Sequence, residues 1–244
     1  MTTWDKQFWS YLDYLRHTTR IEEISDLILS LSYLKYLNDN PSKYELDESA
    51  KWELFTYETS FGPILKKVQR AFETLEYCHP SLDNTFSNLD IRYDNYFLSE
   101  PRHTRELIEQ ISRFDFSFGK DFSEYFDDLL FYFNSSYGKR GAGEIQPKEL
   151  THLMHSLIPN TENQSIYNPF AGYASFGLNI PKGTQYVGEE INERTAAIAR
   201  LRLAIDYSYK SELNSNDCIR FADKGSERKF TTIIFNPPFN PHCS

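Results

Sequence analysis

The residues best suited to chemistry in this chain form a corner, Asn236-Pro237-Pro238-Phe239, that closes the run from Thr231 to Phe235. The run is β-branched and aromatic, long enough for a buried strand and short for a helix. Two consecutive prolines remove two backbone donors and fix φ at both positions, so the strand must end there in a stiff corner. In open α/β sheets, ligands bind outside this carboxyl end. The Asn236 side-chain oxygen and the Pro237 carbonyl are two acceptors that a single substrate amine can satisfy together. Phe239 adds a flat apolar platform beside them. Asn-Pro-Pro by itself also fits an ordinary loop after a strand, so the weight falls on what precedes it.

Three further strand ends precede it. Ser165-Ile166-Tyr167 reads as a brief strand, followed by a turn of small residues from Asn168 to Gly177 whose backbone amides can approach a ligand closely. Gln185 to Gly188 reads as a second strand closed by Glu189 and Glu190, and either carboxylate could hold the two hydroxyls of a nucleotide ribose. Ser211 to Asn214 is a weaker third strand that ends toward Asp217, a candidate acceptor for an exocyclic amine. Residues 195–205 form a helix with Ile198, Leu201 and Ile205 on one face. This alternation predicts a parallel, right-handed, doubly wound sheet. Its strand ends share one rim, making an adenosine pocket with an amine-binding pocket beside it.

The preceding chain reads as helical. Trp4, Phe8, Leu12 and Leu15 share one helix face. Thr19 to Glu22 fits a capping box opening a second helix with a stripe of Ile21, Ile24, Leu27, Ile28, Leu31 and Leu34, ended by Asn38-Asp39-Asn40-Pro41. Gly62-Pro63 opens a third, carrying Ile64, Val68, Phe72 and Leu75 as far as His79-Pro80. Ser81 to Tyr96 is irregular. Further helices carry Leu107, Ile111 and Phe114 after Pro101, then Phe122, Phe126, Leu129, Leu130 and Phe133. None offers clustered catalytic side chains, and the high aromatic content, 16% of the chain, reads as core. A glycine-rich stretch over 135–143 reads as a hinge or a ligand-contacting loop, and Pro147 opens a helix with Leu150, Leu153, Met154 and Leu157. His152 and His155 lie three apart on it with no third ligand in view, and read as surface residues rather than a zinc pair.

Composition bounds the partners. The 244 residues carry a formal charge of −9, with only small basic clusters at Lys66-Lys67 and Lys139-Arg140. A protein gripping nucleic acid by its own phosphate contacts needs more, so such a role implies a partner or residues outside this chain. No apolar run reaches the length of a membrane span and the amino terminus lacks signal character, which predicts a cytoplasmic protein. Cys78, Cys218 and Cys243 are scattered, as reduced cytosolic thiols would be.

With these residues in view, the chain resembles the S-adenosylmethionine-dependent adenine-N6 DNA methyltransferases, and more closely the modification subunits of type I restriction-modification systems. The family pattern Asp-Pro-x-x-Gly-x-Gly-x-Phe appears as NPFAGYASF over 168–176, the acidic motif as YVGEEI over 186–191, and the catalytic motif as NPPF over 236–239. The resemblance implies a helical amino-terminal domain over 1–136. A mostly parallel, Rossmann-like methyltransferase domain follows over 137–244, truncated after its fourth strand, since the chain stops five residues past Phe239. It further implies S-adenosylmethionine as cofactor, held by Gln146, Asn168, Pro169, Phe170, Gly172, Ala174, Phe176, Glu190, Asp217 and Cys218. The catalytic group is Asn236, Pro237, Pro238 and Phe239, with no metal. The implied partners are DNA, a specificity subunit and a restriction nuclease subunit. Three residues depart from the pattern: Asn168 replaces an acid, Gln146 stands where threonine usually precedes proline, and Ala174 replaces a glycine, placing a methyl where the cofactor passes. Two alternatives stand beside this reading: a methyltransferase on another planar amine, of protein glutamine or RNA, and a non-catalytic module that docks other subunits.

Overall fold

A computed structural model describes residues 6–21, 24–42, 44–56, 61–91, 101–117, 119–136, 145–159, 164–181, 183–205, 210–220 and 228–237. The chain divides into two compact units, Met1–Gly138 and Lys139–Ser244.

The first unit is helical among its described residues. Helix α1 (Lys6–Thr18) buries Phe8, Tyr11, Leu12 and Leu15, the face the periodicity predicts; Trp4 lies outside the described residues. Helix α2 (Ser25–Asp39) is the centre of the unit, with every residue from Ser25 to Leu37 buried. It starts later than the sequence suggests. The position before it is Ile24, which makes no side-chain cap, and a turn from the Ile24 N–H to the Ile21 carbonyl (3.2 Å) leads in. Ile21 and Ile24 are both buried, so packing rather than the Thr19 cap sets this start; Glu22 lies outside the described residues. At its other end Lys35 donates to Asp39 and to the Phe114 carbonyl (2.9 Å). The Phe116 N–H donates to Asp39, and the Asn40 amide donates to the Phe116 carbonyl, each at 2.8 Å. These polar bonds dock the 114–116 segment, whose rings join Tyr36, Phe122 and Tyr125 in an aromatic core; Tyr36 stacks on Phe122 at 4.3 Å. The aromatic excess is core, as expected.

Helix α3 (Glu53–Thr56) and the 3₁₀ turn Glu48–Ala50 are additions too short for periodicity to reveal. Helices α4 (Phe61–Cys78), α5 (Pro101–Ser112) and α6 (Gly119–Ser136) lie where the apolar stripes place them. No helix among the described residues is long and apolar enough to cross a membrane.

The second unit holds helix α7 (Lys148–Ser156), strands β1 (Ser165–Asn168) and β2 (Gln185–Glu190), helix α8 (Glu193–Ile205), and strands β3 (Lys210–Ser215) and β4 (Thr232–Ile233). The four strands form one sheet in the order β3-β2-β1-β4, and every pairing is parallel. Parallel register aligns the ends: Asn168 pairs with Gly188, Glu190 with Ser215, and Tyr167 with Ile233. The carboxyl ends of all four therefore open on one rim.

Strand β4 is shorter than the expected 231–235. The Ile234 N–H still reaches the Tyr167 carbonyl at 3.0 Å. The next donor on that side of β1 is Pro169, which has no N–H to return, so the ladder stops. Among the described residues β4 lies at the edge of the sheet, with Ile233 and, just past the strand, Phe235 exposed.

The core of this unit lies between α8 and the sheet. Ala196 and Ala199 are fully buried and let the helix approach Ile166, Tyr186 and Leu213. Gly188 belongs to the same close contact, because a Cβ there would stand 2.6 Å from Leu213 Cδ1 and 3.0 Å from Ala171 Cβ. Gly172 differs: its φ is +53° and nothing lies within 4 Å of a built Cβ. Replacing Gly188 by alanine is expected to cost about 1–3 kcal/mol through overpacking. Replacing Gly172 should cost about 1–2 kcal/mol through backbone conformation alone. Urea unfolding of both variants checks this, and an unchanged midpoint for Gly188→Ala would contradict the close packing.

Candidate active site

Asn168, at the end of β1, is fully buried. Its Oδ1 accepts from the Phe170 N–H (3.2 Å) and its Nδ2 donates to the Tyr186 hydroxyl (3.2 Å). Burial raises the Tyr186 phenol far above its usual range, keeping it neutral. Asn168 thus shapes the turn from inside. It has no accessible surface in this structure.

The turn then curls around two left-handed residues, Gly172 (φ +53°) and Ala174 (φ +56°). The Ala171 N–H donates to the Glu189 carbonyl (2.8 Å) and the Gly172 N–H to Glu190 Oε2 (3.0 Å). Ala174 has no accessible surface, and its methyl sits in the apolar cluster with Phe176 and Ile180. The chain turns this methyl inward. Phe176 is likewise a core residue, and its carbonyl bonds His155 Nε2 at 3.0 Å. His155 is therefore partly buried and ties α7 to this turn, unlike the exposed His152.

Arg202 is what holds the left-handed alanine. This α8 residue is only 4% exposed; its guanidinium donates to the Tyr173 carbonyl and to Ser175 Oγ (3.3 Å), bracketing Ala174. The sequence did carry a signal for it, an arginine set between Leu201 and Leu203 on a helix that packs against a sheet.

The two acids closing β2 are both engaged. Alternation along the strand sends them to opposite faces. Glu190 accepts from Gly172 through Oε2 and from the Asn192 N–H through Oε1 (2.8 Å). Each carboxylate oxygen has two lone pairs, so capacity remains for further donors. Glu189 bonds the Tyr167 phenol, which burial first and this carboxylate second push up to about 12. Beyond β3, Asp217 Oδ1 accepts from the Ile219 N–H (3.0 Å) and the Arg220 N–H (3.1 Å). The Cys218 thiol is pushed up by burial and then by the charges of Glu189, Asp217 and Glu190.

At the end of β4, Asn236 and Pro237 are exposed. The Phe235 ring lies 6.0 Å from that of Phe170, which bridges this corner to the β1 turn. Asn236 Nδ2 donates to Gln146 Oε1 at 3.0 Å. Pro238 and Phe239 lie outside the described residues, as does the glycine-rich stretch 137–144. The rim thus brings Gln146, Pro169, Phe170, Gly172, Glu190, Asp217, Cys218, Asn236 and Pro237 to accessible positions, and withdraws Asn168, Ala174 and Phe176. Among the described residues no group of three or more His, Cys, Asp and Glu could hold a metal ion.

A parallel sheet in this order, with a tight turn after its first strand, acids after its second and an Asn-Pro corner after its fourth, is a Rossmann-like frame whose ligand site lies at the carboxyl ends of the strands. The sequence pattern of the N-6 DNA methylases matches residues 119–243, over half of the chain, and the chain belongs to that family. Its fold is similar to the methyltransferase subunit of a type I restriction-modification system from Streptococcus thermophilus, with a TM-score of 0.72 and 18% identity. That similarity covers 95% of this chain and 62% of the other, so the chain spans less than two thirds of that subunit's length. No curated protein matches the sequence.

Replacing Arg202 by methionine leaves the Tyr173 carbonyl without this donor, at an expected cost of about 1–3 kcal/mol. Amide exchange at 173–175 should quicken in that variant. Unaltered stability and exchange would show that the turn holds itself.

Proposed function

We propose that this chain serves in transferring a methyl group from S-adenosylmethionine to the exocyclic N6 amine of adenine in DNA, as a modification subunit of a type I restriction-modification system. The observation that carries the reading is the Asn236-Pro237 corner exposed at the carboxyl end of β4, in a chain of the N-6 DNA methylase family. Residues 1–136 and 137–244 are its helical and methyltransferase domains.

The rim suits the cofactor. Open space faces Gly172, giving a ligand room to approach the backbone, and Glu190 keeps lone pairs for two ribose hydroxyls. In this reading Asp217 accepts from the adenine amine, and Cys218 and Phe170 line the ring. When bound, S-adenosylmethionine supplies an electrophilic methyl on a sulfonium.

The protein's part in the chemistry is positional. A target adenine flipped from the duplex loses a few kcal/mol of stacking, and Phe239 offers a replacement surface. Asn236 Oδ1 and the Pro237 carbonyl accept the two N–H bonds of the amine and so aim its lone pair. The amine is itself the nucleophile, so no general base is needed before methyl transfer, and its proton leaves afterwards. Orientation of this kind supplies about 7–11 kcal/mol in favourable cases. With a charge of −9, the chain relies on other subunits for much of its grip on phosphates: a specificity subunit to choose the site, and a nuclease subunit where cleavage is coupled. Such a protein works beside the chromosome, in the cytoplasm.

Replacing Asn236 by alanine should lower methyl transfer to adenine in duplex DNA by roughly 100-fold or more, with S-adenosylmethionine affinity unchanged. Transfer to RNA or to protein glutamine instead of DNA would reassign the substrate. Parallel loss of transfer and cofactor affinity would place Asn236 in a different pocket.

A further inference from the structure

We propose that Gln146 is a positioning residue for Asn236: its side-chain carbonyl holds the Asn236 amide in the orientation that leaves Oδ1 open to a substrate amine. This rests on the reading of Asn236 as the amine-binding group. It also moves Gln146 away from the direct cofactor role that the sequence resemblance implies.

An asparagine that must accept from an amine has a built-in ambiguity. Its side chain ends in one acceptor and one donor of nearly the same shape, and rotation by half a turn about its last bond exchanges them. Presented nitrogen-first, Asn236 would set its own N–H bonds against those of the substrate. Exposed at the end of a short edge strand, it has little packing to choose between the two states.

Gln146 makes the choice. It sits in the segment before α7, ninety positions away in sequence, and its Oε1 accepts from Asn236 Nδ2 at 3.0 Å. That bond uses the donor end of Asn236 and leaves the acceptor end clear. The reverse polarity, with Gln146 Nε2 donating to Asn236 Oδ1, would occupy the very atom the amine requires. Among the described residues, Gln146 Nε2 is instead buried and without a hydrogen-bond partner. The pair is therefore engaged through the carbonyl of one residue and the nitrogen of the other, and the two prolines after Asn236 stiffen the backbone on which this orientation is set.

Substitutions at Gln146 can impose either polarity. Glutamate has only acceptors at neutral pH, lysine only donors, and leucine neither at similar length. The test uses the full chain, with the Asn236 side-chain amide followed by ¹H–¹⁵N spectroscopy and identified by its loss in Asn236→Asp. Methyl-transfer kcat on duplex DNA and S-adenosylmethionine affinity are measured on the same samples. In the wild type, one Nδ2 proton should be shifted downfield and slow to exchange, with a scalar coupling to the Gln146 side-chain carbonyl carbon. Gln146→Leu and Gln146→Lys should abolish that signature and lower kcat about tenfold or more, the value of one orienting hydrogen bond, with cofactor affinity unchanged. Gln146→Glu should restore most of what leucine loses.

An Asn236 amide unaffected by Gln146→Leu would overturn the proposal. So would a Gln146→Leu variant with weakened cofactor binding and normal kcat, which would make Gln146 a cofactor ligand. If the wild-type chain methylates no DNA, the proposed reaction fails, yet the amide spectra still decide whether Gln146 orients Asn236.

Discussion

The site depends on one carboxylate. Glu190, the last residue of β2, accepts from the Gly172 N–H with one oxygen and from the Asn192 N–H with the other. The first bond fixes the turn after β1 against the end of β2, and the second fixes the entry into α8, where the Asn192 side chain caps the Thr195 N–H at 2.9 Å. Bonds to an ionised acceptor are the stronger kind, and a carboxylate near a helix amino terminus is favoured by the helix dipole as well. The register that pairs Asn168 with Gly188 makes this geometry possible. A slip of one residue would send Glu190 to the opposite face of the sheet. The group that would hold a nucleotide ribose is thus the group that assembles the surroundings of that ribose.

Behind this rim the turn is held by buried polar groups rather than by glycine alone. Asn168 reaches Tyr186, Arg202 clamps Tyr173 and Ser175, and His155 holds the Phe176 carbonyl. A left-handed alanine costs about 1–2 kcal/mol relative to an unstrained position. The Arg202 bonds on either side and the burial of the Ala174 methyl offset that cost. The departures from the family pattern at 168 and 174 are therefore changes to the interior of the turn, and the surface that faces a ligand keeps Gly172 and Glu190.

Much of this was legible in the sequence because it follows from period and punctuation. The stripes through Phe8, Leu12 and Leu15 and through Ile64, Val68 and Phe72 located helices, and the strand ends at Asn168, Glu190 and Asn236 fell on one rim as parallel alternation requires. The start of α2 was not legible, since burial of Ile21 and Ile24 overrides a capping pattern that looks sufficient locally. Nor was the length of β4, which depends on the missing N–H of Pro169 on a neighbouring strand. The inward roles of Asn168 and Ala174 were hidden for a related reason. Motif spacing identifies a turn but does not say which of its side chains face the core.

The central claim is that this rim binds S-adenosylmethionine through Glu190. Calorimetric titration of the cofactor into the chain and into a Glu190→Gln variant tests it most directly, with circular dichroism confirming that both are folded. The account predicts micromolar binding to the wild type that the variant loses. Equal binding by both folded proteins, or none by either, would contradict it.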